Sequence, residues 1–379
     1  MRPLRTIFFA SFIFSFHLAL LSYLNSSVLD ASESLFSTAF VYTLGSCAAF
    51  LLVVVGPRLA RRFGASKFLS TSILLCAVLL CLLSFTIHTR SFGYVFILYF
   101  ALNTLIWYAF DLVIEHYSRS TVMGNIRGTY LTLNNAGWVL APMLASVVAN
   151  SRGFGGTYIL ASVAVCISFL CIHSMRRIPR STATPEVPFT AAFRELVSHP
   201  TARRIVSLYL VLQFFYAWMV LYLAPYLLHI GFSWGVIGVV LSIMLLPFVL
   251  LQYRTGKYAD KKHNEATLVR AGLICMSIAT FLLAANLPAN AALFAGILFL
   301  TRVGASIVEV SLESAFFKVV EKKDTALIST IRMTLPVAYI IAPLIGALCF
   351  LVFSYQGIFV VLSLILAGSA LYAYRLTSH

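Results

Sequence analysis

Apolar runs of roughly 20 residues recur along the whole chain, each closed by a cluster of Arg, Lys, Gly or Pro. A helix needs about that many residues to cross the hydrocarbon of a bilayer, where it also satisfies its own backbone hydrogen bonds. The pattern predicts twelve transmembrane helices, near 7–25, 37–57, 68–88, 92–113, 129–149, 156–175, 205–229, 234–253, 268–286, 290–311, 328–350 and 356–374. One long polar interruption, 176–204, carries Pro179, Pro185, Pro188, Pro200 and six arginines. It divides the chain into a six-helix bundle over 1–178, a cytoplasmic linker over 179–203 and a second six-helix bundle over 204–379. Part of the linker, 189–197, is expected as a short helix lying at the membrane surface.

Composition agrees with this reading and removes other classes. The 379 residues are 61% hydrophobic and only 10% charged, with a mean hydropathy of +0.94. A soluble protein carries about 25% charged residues, so a soluble enzyme, a nucleic-acid binder or a secreted disulfide scaffold is excluded. The net charge of +15 reports orientation. Of the 27 Lys and Arg residues, all but Arg90, Arg152 and Arg302 fall at the termini or in alternate loops. Positive loops mark the cytoplasmic side, so both termini are expected there and the number of spans is even. The opening Met1-Arg2-Pro3-Leu4-Arg5 imitates a secretory signal, but its apolar run continues to about Leu24 with no small-x-small cleavage site, which predicts a first membrane helix. The seven cysteines all lie in apolar segments without CxxC or Cys/His spacing, as expected of small packing residues with no metal role.

The two halves repeat one another. Tyr23-Leu24 faces Tyr222-Leu223 at an offset of 199, and the same offset lays Pro57-Arg58-Leu59-Ala60-Arg61-Arg62 over Gly256-Lys257-Tyr258-Ala259-Asp260-Lys261. Asp111 and Glu115 fall on Glu309 and Glu313 at an offset of 198, and Thr129 and Ala141-Pro142 fall on Thr330 and Ala342-Pro343 at 201.

Two parallel repeats joined by a basic loop resemble the major facilitator superfamily of transporters, and particular residues carry the resemblance further. The family's loop after its second helix reads G-x-L-A-D-R-x-G-R-R. Here Leu59, Ala60, Arg62 and Gly64 match, with Arg61 standing where Asp is expected, while the second half retains Gly256, Ala259 and Asp260, followed by the basic Lys261. The exporter-type pattern of the fifth helix, G-x8-G-x3-G-P-x2-G-G, is met by Gly128, Gly137 and Pro142, with Ala141, Ala145 and Ser146 replacing three glycines. The resemblance implies an all-α membrane fold of two pseudo-symmetric bundles, with the first, fourth, seventh and tenth helices lining a central cavity.

Charged side chains inside a span cost roughly 2.5–3.5 kcal/mol on insertion scales, so each one needs a reason. Asp111 and Glu115 lie one turn apart on the fourth helix, and Glu309 and Glu313 do so on the tenth. Asp111, Glu309 and His17 are the candidates for proton coupling; an ordinary imidazole titrates near neutrality. The alternatives are a latch for the acids and structural hydrogen bonding for His17. Arg302, seven residues before Glu309 on the same face, keeps its charge when buried. It is expected either to be neutralised by an acid or to bind an anionic group. Candidate cavity residues are His17, Tyr23, Asn103, Asn134, Asn135, Trp138, Gln213, Tyr216 and Arg302. Arg61, Arg62, Glu115, Asp260, Lys261 and Glu313 are expected to form a cytoplasmic gate, and Gly128, Gly137, Pro142 and Pro343 to serve helix packing and bending.

No catalytic constellation and no G-x-x-x-x-G-K-[ST] phosphate loop occurs. The expectation is therefore a secondary transporter, with no enzymatic activity and no cofactor, driven by protons or alternatively sodium. It would be a monomer in the plasma or inner membrane that moves a small-molecule substrate through the lipid bilayer. Export of a small organic compound is the first reading, and import of a sugar, nucleoside or similar polar nutrient the second. A non-transporting sensor on the same scaffold is the third, for which Arg61 in place of Asp speaks and Asp260 speaks against.

Overall fold

A computed structural model describes residues 2–32, 35–87, 89–117, 123–175, 189–252, 254–256, 258, 265–285, 287–320 and 325–376. The described residues are almost entirely helical, with short turns between helices. Its α-helices are α1 (Arg2–Ser32), α2 (Leu35–Phe63), α3 (Ala65–Thr86), α4 (Ser91–Tyr117), α5 (Met123–His173), α6 (Phe189–Ser198), α7 (Pro200–His229), α8 (Trp234–Leu250), α9 (Glu265–Leu283), α10 (Ala291–Val319), α11 (Thr325–Phe350) and α12 (Tyr355–Tyr372). Among the described residues, eleven helical stretches are long and apolar enough to cross a membrane. Exposed side chains on these stretches include Leu51, Leu74, Leu98, Leu140, Leu170, Ile278 and Leu364, the composition expected of surfaces that face lipid.

One of the eleven, Thr132–His173, has 42 residues, roughly 63 Å at the ordinary helical rise and twice the hydrocarbon thickness of about 30 Å. It is divided by Gly153, whose φ of 69° and ψ of 179° lie in a region that is essentially glycine's alone. Pro142 sits inside the first arm without breaking it; the non-helical residue within α5 is Gly153. Most helices outrun the apolar stretches that announced them. α10 continues to Val319 and α7 begins at Pro200, because polar residues flanking an apolar run can extend the same helix into the headgroup region.

The chain divides into two compact units, Met1–Pro185 with Ser233–Ser242, and Glu186–Phe232 with Ile243–His379. In the first unit α1 packs along α5, α2 against α4, and α3 between α4 and α5. Polar ties reinforce these contacts: Tyr158 donates to Asn25 Oδ1 at 2.6 Å, Ser168 to the Ala10 carbonyl at 2.9 Å, and Ser15 to the Asn134 carbonyl at 3.2 Å. At Gly137 α5 lies against the α1 backbone, where a Cβ would stand in ordinary van der Waals contact with Phe16 Cα at 3.5 Å.

In the second unit α10 packs most extensively on α9 and also on α7, while α12 covers α9 and α11 covers α7. The α9–α10 contact is backbone to backbone. A Cβ on Gly304 would stand 2.5 Å from the Gly272 carbonyl oxygen, and one on Gly272 would stand 2.8 Å from the Gly304 oxygen. Small residues at such crossings let helices pack closely in lipid, where no hydrophobic force drives one helix against another. Ser277 and Ser363 exchange bonds across α9 and α12, each hydroxyl donating to the other's carbonyl, at 2.9 and 3.0 Å. Tyr222 donates to the Pro343 carbonyl within α11 at 3.2 Å. Helix α7 stops in a Schellman turn: Phe232 N donates to the Leu227 carbonyl and Gly231 N to that of Leu228, with Gly231 at φ 98°. The linker segment 189–198 forms α6, packed on α11 and α7. Of the cysteines Cys76 is buried and Cys171, Cys275 and Cys349 are half-buried, while Cys47, Cys81 and Cys166 lie on exposed faces.

Candidate functional site

A buried polar grouping of the second unit lies where α7 meets α10. Asn290 caps the start of α10, its side chain accepting from the amides of Ala292 and Leu293 at 2.9 and 3.2 Å. The Gly272–Gly304 contact then fixes the helix's rotation. At 3.6 residues per turn, Arg302 and Glu309 stand about 160° and 140° from Gly304 around the helix. The crossing that seats α10 on α9 therefore turns both ionisable residues toward α7.

On α7 they meet Tyr216. Its hydroxyl donates to Glu309 Oε2 at 3.4 Å, and its ring lies 5.5 Å from the Arg302 guanidinium carbon. Phe215 provides a second ring 5.0 Å from the same carbon. Arg302 is 2% exposed, so aromatic faces, whose quadrupoles attract cations, form part of its surroundings. Glu309 also accepts from the Gln252 amide at 3.0 Å. One turn on, Glu313 accepts from the Tyr209 hydroxyl at 3.4 Å, which gives two tyrosine–carboxylate rungs between antiparallel helices. Gln213 is buried beside Tyr209. The group thus combines a permanent cation, two carboxyls and a set of hydroxyl and amide donors in a largely apolar span. Such a group can hold or release a proton, or exchange an internal partner for an external ligand.

The first unit is built differently at the corresponding place. His17 is fully buried in α1, where Nδ1 donates to the Phe14 carbonyl and Nε2 accepts from the Tyr99 hydroxyl at 3.3 Å. Asn103 donates to the Tyr99 carbonyl at 2.9 Å and accepts from the Cys76 thiol at 3.7 Å. Around them Phe14 packs on Trp107 and Phe110 with ring centroids 5.5 and 5.6 Å apart. His17 and Asn103 are therefore joined to groups of their own unit. Asp111 is half-buried on α4, as are Asn135 and Trp138 on α5; Asn134 is buried. Tyr23 is buried and lines a narrow apolar crevice with Leu20, Pro142 and Ser146.

Of the expected gate, Arg61 and Arg62 are exposed at the end of α2, with Arg62 5.7 Å from the Phe63 ring. Asp260 and Lys261 lie outside the described residues, as do the side chain of Glu115 and the surroundings of Gly128. Pro343 lies inside α11 together with Pro336. Sequence reasoning singled out Arg302, Glu309, Glu313, Tyr216 and Gln213, and missed Tyr209 and Gln252. Tyr209 was accessible to it: it precedes Tyr216 by seven residues, two turns along one face of α7. Gln252 closes an apolar run beside Arg254 and reads there as a span boundary.

Comparison with known proteins bears on this arrangement. The family described as Major Facilitator Superfamily matches residues 4–334. No curated protein matches the chain. Among solved structures, the crystal structure of a bacterial homolog of the human lysosomal transporter Spinster, in an inward-facing and unoccupied conformation, matches with a TM-score of 0.73 at 13% identity. The match covers 98% of this chain and 95% of that one. At that identity the likeness is one of fold.

Proposed function

The chain belongs to the major facilitator superfamily, and from that premise we propose that it is a secondary transporter moving a small organic solute by alternating access, with proton-coupled export as the direction. Twelve spans follow if the two arms of α5 around Gly153 are counted separately, and the even number agrees with cytoplasmic basic loops at both ends. The plasma or inner membrane is the proposed location.

The observation that carries the reading is the Glu309 site. A carboxyl held within an apolar helix and bonded to neutral donors (Tyr216 and Gln252) has hydrogen-bond partners in both of its protonation states, because hydroxyl and amide groups can each donate or accept. Arg302, two turns away, supplies a charge that cannot be discharged. Glu309 is the proposed proton carrier of the second unit, with Asp111 its counterpart by repeat position in the first. His17, enclosed by Phe14 and Tyr99, serves as a structural tie. Arg61, Arg62, Glu115, Asp260, Lys261 and Glu313 are proposed to gate the cytoplasmic face.

A thermal-shift screen of the purified protein in detergent tests the substrate side. The panel comprises lipophilic cations, organic anions, sugars, nucleosides and amino acids at several pH values. A ligand at 100 times its dissociation constant stabilises the protein by about 2.7 kcal/mol. Stabilisation by amphiphilic organic compounds supports export of that class; stabilisation by one polar nutrient class supports the importer instead. No stabilisation by any compound favours the sensor reading and counts against transport of these classes.

A further inference from the structure

The Gln252–Glu309 bond joins α10 to the end of α8, and the construction of α8 gives that bond a consequence. Pro247 lies inside the helix and removes one backbone bond to the preceding turn. The chain beyond it is held in helical register by Leu251 N donating to the Pro247 carbonyl and Thr255 N to that of Leu251, both at 2.9 Å. In sequence this segment is followed by Asp260, one of the proposed gate residues. Gln252 Nε2 donates to Glu309 Oε2 at 3.0 Å, a shorter bond than the 3.4 Å one from Tyr216. A hydrogen bond to a charged acceptor is about twice as strong as one between neutral groups, so this tether is stronger when Glu309 is ionised.

We propose that Gln252 is a positioning residue that reads the charge of Glu309: it fastens the α8 segment after Pro247 to α10 while the carboxyl is ionised, and loosens it when the carboxyl takes a proton. This rests on Glu309 as the proton carrier and adds the element on which its protonation acts. Among the described residues, the charged and titratable groups that act on Glu309 are Arg302 and Glu313 on α10, and Tyr209 and Tyr216 on α7. Helix α9, packed along α10, carries Glu265, Arg270 and Cys275, which bond to other groups: Glu265 to Lys318, Arg270 to Thr267 and the Ala266 carbonyl, and Cys275 to the Leu300 carbonyl. Arg302 and Glu313 remain in place on α10 in every variant below, so their charges are common to all of them.

Hydrogen–deuterium exchange on the full-length protein in lipid nanodiscs, at pH 5 to 8, reads the α8 segment through the amides of Leu251 and Thr255. Comparing each variant with the unmodified protein at the same pH cancels the intrinsic pH dependence of exchange. At pH 8 Glu309→Gln should exchange several-fold faster than wild type in this segment and at pH 5 equally. Gln252→Met, similar in size and without the amide, should be fast at both pH values. The exchange-swapped pair Gln252→Glu with Glu309→Gln should recover protection at pH 8, which a merely structural role for Gln252 would not produce. A wild-type pH step that survives Gln252→Met but vanishes in Glu309→Gln leaves Glu309 as the proton carrier and overturns the role of Gln252. A step that survives Glu309→Gln overturns both. Should Gln252→Met fail to fold, the swapped pair alone decides, and its lack of recovery at pH 8 overturns the proposal.

Discussion

Tyr216 and Glu309 stand on facing helices, the phenol hydroxyl donating to carboxyl Oε2 at 3.4 Å, while the same tyrosine ring lies 5.5 Å from the guanidinium carbon of Arg302. A change at either ionisable residue is therefore felt by the other through one aromatic side chain. Tyr216→Phe keeps the ring and deletes the hydroxyl. The expected result is a shifted pH profile of transport with substrate affinity reduced by less than about tenfold, since one neutral hydrogen bond contributes about 0.5–1.5 kcal/mol. Initial rates across pH 5 to 8 check it.

Asp111→Asn and Glu309→Gln remove the two acids that share a repeat position. Each is expected to abolish the dependence of transport on an imposed pH gradient while leaving expression and the thermal unfolding midpoint close to wild type. Unchanged pH-driven uptake in Asp111→Asn would remove that residue from the coupling role.

Arg302 is 2% exposed against Phe215 and Tyr216. Arg302→Lys keeps the charge but loses the planar group that stacks on rings, and a buried ammonium is harder to keep charged. It should lower both stability and transport, and Arg302→Met should abolish transport with a smaller loss of stability. Equal activity in all three proteins would show that no charge is required there.

Gly304→Ala places a methyl 2.5 Å from the Gly272 oxygen and 3.0 Å from the Met276 nitrogen. Backbone atoms cannot yield, so the expected loss is about 1–3 kcal/mol of stability. Transport should fall as well, because the same contact turns Arg302 and Glu309 toward α7. Gly368, with nothing within 4 Å of its added Cβ, is the control, and Gly368→Ala should be neutral. Thermal unfolding in detergent measures both.

Gly153→Ala forces a Cβ into φ 69°, ψ 179°, with an expected cost of about 1–3 kcal/mol. Nothing else lies within 4 Å of that Cβ, so the cost is conformational and Gly153→Asn should lose less than Gly153→Val. The unfolding midpoints of the three variants test the order.

The fold was legible because the membrane demands a crude, repeated signal. Apolar runs located the spans, and the Gly153 break falls in a glycine-rich gap that already separated two of them. Helix ends were less legible: the tenth span was expected to end near 311, yet α10 runs on through Glu313 and Lys318 in one continuous helix. Arg302 and Glu309 were visible because charge in an apolar run is expensive. Their partners were not, because Gln252 meets Glu309 only in the folded chain, across 57 residues of sequence, and no periodicity encodes that approach. His17 shows the opposite case. A lone histidine among apolar residues suggested chemistry, and the structure surrounds it with Phe14 and Tyr99, leaving both nitrogens engaged inside its own unit.

Proton flux in reconstituted vesicles tests the central proposal most directly. Vesicles loaded with a pH-sensitive dye, with the protein inserted and no gradient imposed, would receive each compound found to stabilise it. A substrate-dependent pH change that is present in wild type and lost in Glu309→Gln is the expected result. Substrate movement with no accompanying pH change, or an undiminished change in Glu309→Gln, would contradict coupling through this site.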